Sequence, residues 1–299
     1  MRLIWAADPS DTRSYWETSW LRYLIGGRAD VTEIIRSEST VPQDKDILVT
    51  SRLTADMQVL FASYYNQDKR YGVILLGDEW LAHSDPDKYP TTASFILRNY
   101  YCPSLSDVKN LHYFPLGYKQ GFWNGYTGPK PQNIKDRPYR WSFAGAIKGD
   151  RRIMIDVMQR ATHFSQLHFN AGWNSPDSLT TSQYRDSLLA SKFAPSPIGN
   201  ASVECFRTWE AFEAGCIPIL PSVSGQGIED YYTQLVEACG FTPPPCPMVK
   251  DWNEVTAKFL EWDNDPSLQK RCCQWWSSFK NHIKTDIQVL LNEWPTPTG

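Results

Sequence analysis

The sequence carries no excess of charge of either sign. Lysine and arginine nearly balance aspartate and glutamate, leaving a formal net charge of −3 over 299 residues. That excludes the basic footprint of a nucleic-acid-binding surface and a polybasic handle for an anionic membrane. No run of 18 apolar residues occurs, so no membrane-spanning helix is expected. The start, "MRLIWAADPSD", lacks the apolar core and small-residue cleavage site of a secretory signal. Histidines are few and scattered. The cysteines, Cys102, Cys205, Cys216, Cys239, Cys246, Cys272 and Cys273, form neither a CxxC pair nor a Cys/His set with zinc spacing. Their odd number reads as free thiols in a reducing compartment, so a soluble, cytoplasmic protein is expected. No GxGxxG follows the first strand-like run and no GxxxxGK[ST] is present, which argues against a dinucleotide fingerprint and a P-loop.

Aromatic residues are abundant instead, at 14%. They first imply a large aromatic core; sugar-binding clefts also use flat rings. The chain is longer than one core usually supports, so two domains are expected. Strand-like runs at 2–8, 46–52 and 71–80 alternate with helical patterns at 14–27 and 53–65, and 92–101 and 111–118 continue the series. The segment 124–138, rich in Gly, Pro, Asn and Lys, reads as a linker. The alternation then restarts: strands at 139–145, 166–172, 192–197 and 216–221, helices at 150–162, 180–191 and 203–215, then amphipathic helices to 294. This predicts two Rossmann-like, doubly wound α/β domains with parallel sheets facing a cleft. Domain bounds are expected at 1–124, 125–138 (linker) and 139–270, with 271–299 a helix returning to the first domain. Ligands of such sheets bind beyond the strands' carboxyl ends. There the first half offers Asp8, Asp78, Glu79 and Arg98; the second offers Gly145, Asn170 and the loops 195–202 and 222–227.

The stretch "SKFAPSPIGNASVECFRTWEAFEAGCIPIL" (191–220) is the most informative. Ser202 is a good N-cap for a helix closing at Gly215. A helix start exposes N–H groups and a partial positive charge suited to a diphosphate, and Gly199 permits close approach of a ligand. Arg207 adds a cation. Glu210, one turn on, offers a carboxylate able to accept both ribose hydroxyls. Taken as spacing alone, Arg207 and Glu210 equally describe a surface i,i+3 ion pair worth about 0.3 kcal/mol.

The wider pattern weighs against that reading. Ser191-Lys192-Phe193, Pro197, Gly199, Arg207, Glu210-Ala211 and Gly215-Cys216-Ile217-Pro218-Ile219 together resemble the exostosin-like glycosyltransferases, and "FAGAIKGDRR" (143–152) and "YRDSLLASKF" are similar to flanking segments of that family. The resemblance covers roughly 139–230. Where the family has a serine this chain has Cys205, so a phosphate-contacting hydroxyl would come from Ser202 instead. The resemblance implies a GT-B fold in a soluble, anchor-less member, and an inverting transfer from a UDP-sugar to a glycan hydroxyl. UDP-xylose or another neutral sugar is favoured, and no metal or other cofactor is required. It places donor binding on Arg207, Glu210, Pro197, Gly199, Asn200, Ser202, Gly145 and Arg151.

An acceptor hydroxyl needs a base and the leaving diphosphate needs positive charge. Asp78 or Glu79 is the expected base, with Asp8 next; a cap or turn role is the alternative for each. Arg98, Trp80 and Tyr118 are expected to contact the acceptor, although Arg98 could instead pair with one of the acids. The triplets "DKD" (44–46), "DPD" (85–87) and "DND" (263–265) lack the strand-end context of a metal clamp. The expected partners are the donor and a glycan acceptor, with no nucleic acid and no membrane insertion, in a monomer or weak oligomer. A catalytically inactive glycan- or nucleotide-binding module and a nucleotide-sugar epimerase remain as alternatives.

Overall fold

Aliphatic and β-branched runs form two all-parallel sheets. In the computed structural model, which describes residues 1–10, 15–26, 30–123, 133–173, 175–223 and 225–295, the first sheet holds β1 (Arg2–Trp5), β2 (Thr32–Ile35), β3 (Asp46–Thr50), β4 (Tyr71–Leu75), β5 (Phe95–Arg98) and β6 (Leu111–Tyr113) in the order β2-β1-β3-β4-β5-β6. β3 and β4 are buried along their whole length, as expected for central strands covered on both faces. The flanking helices are α1 (Thr18–Ile25), closed by Gly26 in the left-handed conformation, and α2 (Ala55–Asn66), capped by Thr54 Oγ1 accepting from the Met57 N–H. Gly72 interrupts the apolar run of β4 for a packing reason. It pairs with Phe95 of β5, whose ring atoms would lie 2.3–2.9 Å from a Cβ at this position, so the ring covers the glycine.

The second sheet holds β7 (Tyr139–Gly145), β8 (Ser165–Phe169), β9 (Ser191–Pro195), β10 (Ile217–Pro221) and β11 (Met248–Val249) in the order β11-β10-β9-β7-β8. Its helices are α3 (Arg151–Ala161), α4 (Thr181–Leu189), α5 (Phe206–Glu213), α6 (Tyr231–Ala238), α7 (Glu254–Asn264) and the long α8 (Leu268–Glu293). α4 opens with a full capping box between Thr180 and Gln183. Trp209 and Phe212 of α5 stack on Trp276 and Trp275 of α8 at centroid distances of 5.5 and 5.1 Å. Much of the tryptophan content therefore serves the core.

The chain forms two compact units. One comprises Met1–Pro115, Glu237–Phe241 and Asn281–Gly299, the other Leu116–Val236 and Thr242–Lys280. The last part of α8 thus belongs to the first unit. The expected two-sheet α/β architecture is present. Of the expected linker, residues 125–132 lie outside the described residues, while Ile134–Asp136 form one 3-10 turn. One local expectation is corrected and two strands are added. β2 and β11 were not legible in the sequence, and α5 begins at Phe206 with Cys205 as its N-cap, not at Ser202. Among the described residues no helix is long and apolar enough to cross a membrane.

Candidate functional site

The second unit gathers the motif residues at the carboxyl ends of β7 and β9. β9 runs out into the loop 196–202, and β7 ends at Gly145 with φ +149°. A Cβ at Gly145 would lie 3.5 Å from Arg151 Nη1 and 3.6 Å from Arg207 Nη2, so the missing side chain leaves room beside both guanidinium groups.

Arg151, at the start of α3, is nearly buried and donates to the carbonyls of Ala146 (3.0 Å), Ile198 (3.0 and 3.2 Å) and Gly199 (3.0 Å). Asp150 accepts from the Ile198 N–H at 3.3 Å and the Trp252 indole at 2.8 Å. Within the loop, the Gly199 N–H donates to the Ser202 carbonyl at 2.7 Å. Arg151 therefore positions the loop through carbonyls. Ser202 is buried and its Oγ accepts from the Glu204 N–H at 3.1 Å, a local turn ahead of the helix. Asn200 is exposed and Lys148 donates to its Oδ1. Pro197 is buried, and its carbonyl accepts from Arg207 Nη1 at 3.2 Å.

Arg207 is half-buried in α5, its guanidinium 5.1 Å from the centroid of the Phe143 ring and 3.4 Å from Cys205 Sγ. Glu210, one turn on, is only 3% exposed. Its Oε1 accepts from the Lys119 N–H at 3.0 Å. No direct ion pair joins Arg207 to Glu210, although each charge favours the ionised form of the other. Burial pushes the Glu210 carboxyl up to about 7, while the Lys119 N–H and the charges of Lys119 and Arg207 pull the other way. Burial likewise holds the Lys119 amine below its ordinary value, with Glu210 opposing.

The Gly215-Cys216 pair has a structural explanation. Gly215 takes φ +66° just past α5, and the Cys216 thiol donates to the Leu188 and Ser191 carbonyls at 2.8 and 3.0 Å. Arg137 reaches the same Leu188 and Ser191 carbonyls and that of Ala214, placing a cation at the carboxyl ends of α4 and α5.

The first unit brings Asp78 and Arg98 together as a buried ion pair at 2.8 Å. Asp78 also accepts from the Ala82 and His83 N–H groups, and Arg98 donates to the Tyr100 and His83 carbonyls and to the Tyr89 hydroxyl. Both residues thus hold the turn after β4 to the end of β5. Glu79 is half-buried and Trp80 is 71% exposed. Asp8 is exposed and accepts from the Ser10 N–H and hydroxyl. Tyr118 belongs to the second unit, where it is buried and stacks on Phe122. The acidic triplets are engaged within the chain: Asp44 by Arg70, Asp46 by Arg2 and Tyr64, Asp85 by the Asp87 N–H, Asp263 by Arg140 and Lys192, and Asp265 by Arg271.

Two residues of the site escaped sequence reasoning. Lys119 meets Glu210 across 91 positions, and no local spacing marks it. Glu204, fully buried, accepts from the Leu116 N–H, the Trp209 indole and the Tyr231 hydroxyl, all contacts made by tertiary packing.

The model of the RXYLT1 C-terminal domain family matches residues 126–294. Among curated proteins, the chain is similar to "Ribitol-5-phosphate xylosyltransferase 1" of Danio rerio, 26% identical over 249 residues that cover 75% of this chain and 55% of that protein. It is also similar to the Homo sapiens protein of the same name, 26% identical over 174 residues, covering 52% of this chain and 38% of that one. The chain thus spans about half the length, or less, of these relatives. Among solved structures, Anabaena Alr3699/HepE in complex with UDP and glucose superposes with a TM-score of 0.56 over 98% of this chain and 100% of that one, at 10% identity. The architecture is GT-B. The matched family carries the RXYLT1 name and not that of the exostosins, so the motif resemblance holds at the level of a glycosyltransferase-like family.

Proposed function

The chain belongs to the RXYLT1 C-terminal domain family, and from that premise we propose that it transfers a sugar from a UDP-sugar to an acceptor hydroxyl. The names of the relatives make UDP-xylose the first donor to test and ribitol 5-phosphate the first acceptor. One observation carries the reading. Arg207 and Glu210 lie a turn apart behind a loop fixed by Arg151, and they are not paired with each other.

In this reading Arg207 and the first N–H groups of α5 hold the diphosphate, and Glu210 accepts from the ribose hydroxyls. Gly145, Pro197, Gly199, Asn200 and Ser202 shape the loop around it. The acceptor hydroxyl attacks the anomeric carbon, its proton passes to a carboxylate, and UDP leaves from the opposite face with inversion. Arg207 stabilises the charge that develops on the leaving diphosphate, so the scheme calls for no metal. Because Asp78 is bound to Arg98, Glu79 is the leading base and Asp8 the second.

Isothermal titration with UDP tests the donor site. Arg207→Ala and Glu210→Ala are each expected to weaken binding about tenfold or more, the scale of hydrogen bonds to charged groups. UDP release from UDP-xylose with ribitol 5-phosphate tests the transfer. Unchanged UDP affinity in both variants would overturn the site. Saturable UDP binding with no turnover of any UDP-sugar would favour the non-catalytic module.

A further inference from the structure

We propose that Trp173 is the stacking platform for the donor's nucleobase, an assignment that rests on the donor reading above and extends it. Trp173 follows β8, whose carboxyl end lies on the same edge of the second sheet as Gly145 and the loop 196–202. Trp173 is 59% exposed, unusual for tryptophan in a chain whose others mostly pack inside. It is nonetheless held in place. The ring stacks on Phe206, with centroids 6.4 Å apart and planes 16° from parallel, and the Lys119 ammonium lies 5.1 Å from its centroid.

Both contacts lead back to Glu210. Phe206 is the first residue of α5 and Glu210 stands four positions later on the same helical face. Lys119, whose ammonium meets the Trp173 ring, donates its backbone N–H to Glu210 Oε1. An exposed ring is thereby tied, through Phe206 and Lys119, to the carboxylate assigned to the ribose. In a nucleoside diphosphate the base hangs from the ribose by one bond, whereas the transferred sugar lies beyond two phosphates. The ring tied to the ribose carboxylate therefore meets the base. Stacking requires only a planar π-face and is tolerant of base identity, so Trp173 supplies affinity, while discrimination between bases falls to other contacts.

The test compares two probes, UDP and inorganic pyrophosphate, on the wild-type chain and on Trp173→Ala, Trp173→Phe and Arg207→Ala. Trp173→Ala is expected to weaken UDP about tenfold and to leave pyrophosphate affinity unchanged. Trp173→Phe is expected to recover most of the loss. Arg207→Ala should weaken both probes. Unchanged UDP affinity in Trp173→Ala, with Arg207→Ala still defective, would overturn the platform and spare the donor site. Equal loss of UDP and pyrophosphate in Trp173→Ala would also overturn it, because a general disturbance of the loop is then the cause. Wild-type affinity for both probes in Arg207→Ala would instead remove the donor reading itself.

Discussion

Glu210 is a carboxylate placed where its acid form is favoured, because burial raises it from an ordinary value of 4.5 to about 7 against the pull of Lys119 and Arg207. Between those values the folded chain holds a proton that the unfolded chain releases. The associated stability is present in full below pH 4.5 and is lost as pH rises through 7. Glu210→Gln, uncharged and of the same shape, removes this dependence. Its melting temperature should match that of wild type near pH 5 and exceed it at pH 8, with a gap of up to ~3 kcal/mol. An equal difference at both pH values, measured by thermal melts, would contradict the assignment. Asp78 makes the opposite case. Removing one member of a buried ion pair costs about 3–5 kcal/mol, so Asp78→Asn is expected to lower the melting temperature sharply. Glu79→Gln is expected to cut turnover about 100-fold or more, measured as UDP release from UDP-xylose. The sequence placed Asp78 and Arg98 each at a strand end but could not choose between chemistry and a structural pair. The choice depends on β4–β5 register, which aligns Leu75 with Arg98, and register is a tertiary quantity.

The helices and central strands were the most legible elements, because their hydrophobic periods are strong and several ends are marked: Thr54 and Thr180 cap the starts of α2 and α4, and Gly26 and Gly215 follow the ends of α1 and α5. The failures have physical causes. β2 is a mostly exposed edge strand of four residues, and β11 has two, too few to carry an alternation. Ser202 outranks Cys205 as a cap on propensity, yet its hydroxyl is taken by the turn at Glu204, and the chain enters α5 three residues later. The helix that carries Arg207 and Glu210 therefore starts without a side-chain cap. Cys205→Ser supplies the missing acceptor and is expected to raise stability by about 1 kcal/mol, measured as an upward shift of the urea midpoint with unchanged m-value. A downward shift would mean that the thiol's packing against Ser196 and Arg207 outweighs the cap.

At the scale of the whole chain, the free-thiol expectation becomes a count that reports on both units at once. None of the seven cysteines is in a disulfide; Cys102, Cys216, Cys239, Cys246 and Cys272 are buried, while Cys205 and Cys273 are partly exposed. Burial also pushes the Cys273 thiol up, with Arg137 opposing, and raises Cys216 and Cys272 to about 12. The thiolate is the nucleophile that attacks thiol reagents, so these groups should react slowly even where reagent can reach them. Cys205 is one of the two partly exposed thiols and lies at the start of α5, 3.4 Å from Arg207 Nη1. Native protein is therefore expected to show one fast-reacting thiol, a slower second, and the full complement only in denaturant. Cys205→Ser should abolish the fast phase. Saturating UDP should suppress it as well, because a diphosphate held by Arg207 and the first turn of α5 occupies the approach to Cys205. A fast phase that survives UDP while UDP still binds would place the diphosphate away from this helix start, and with it the chemistry assigned to Arg207.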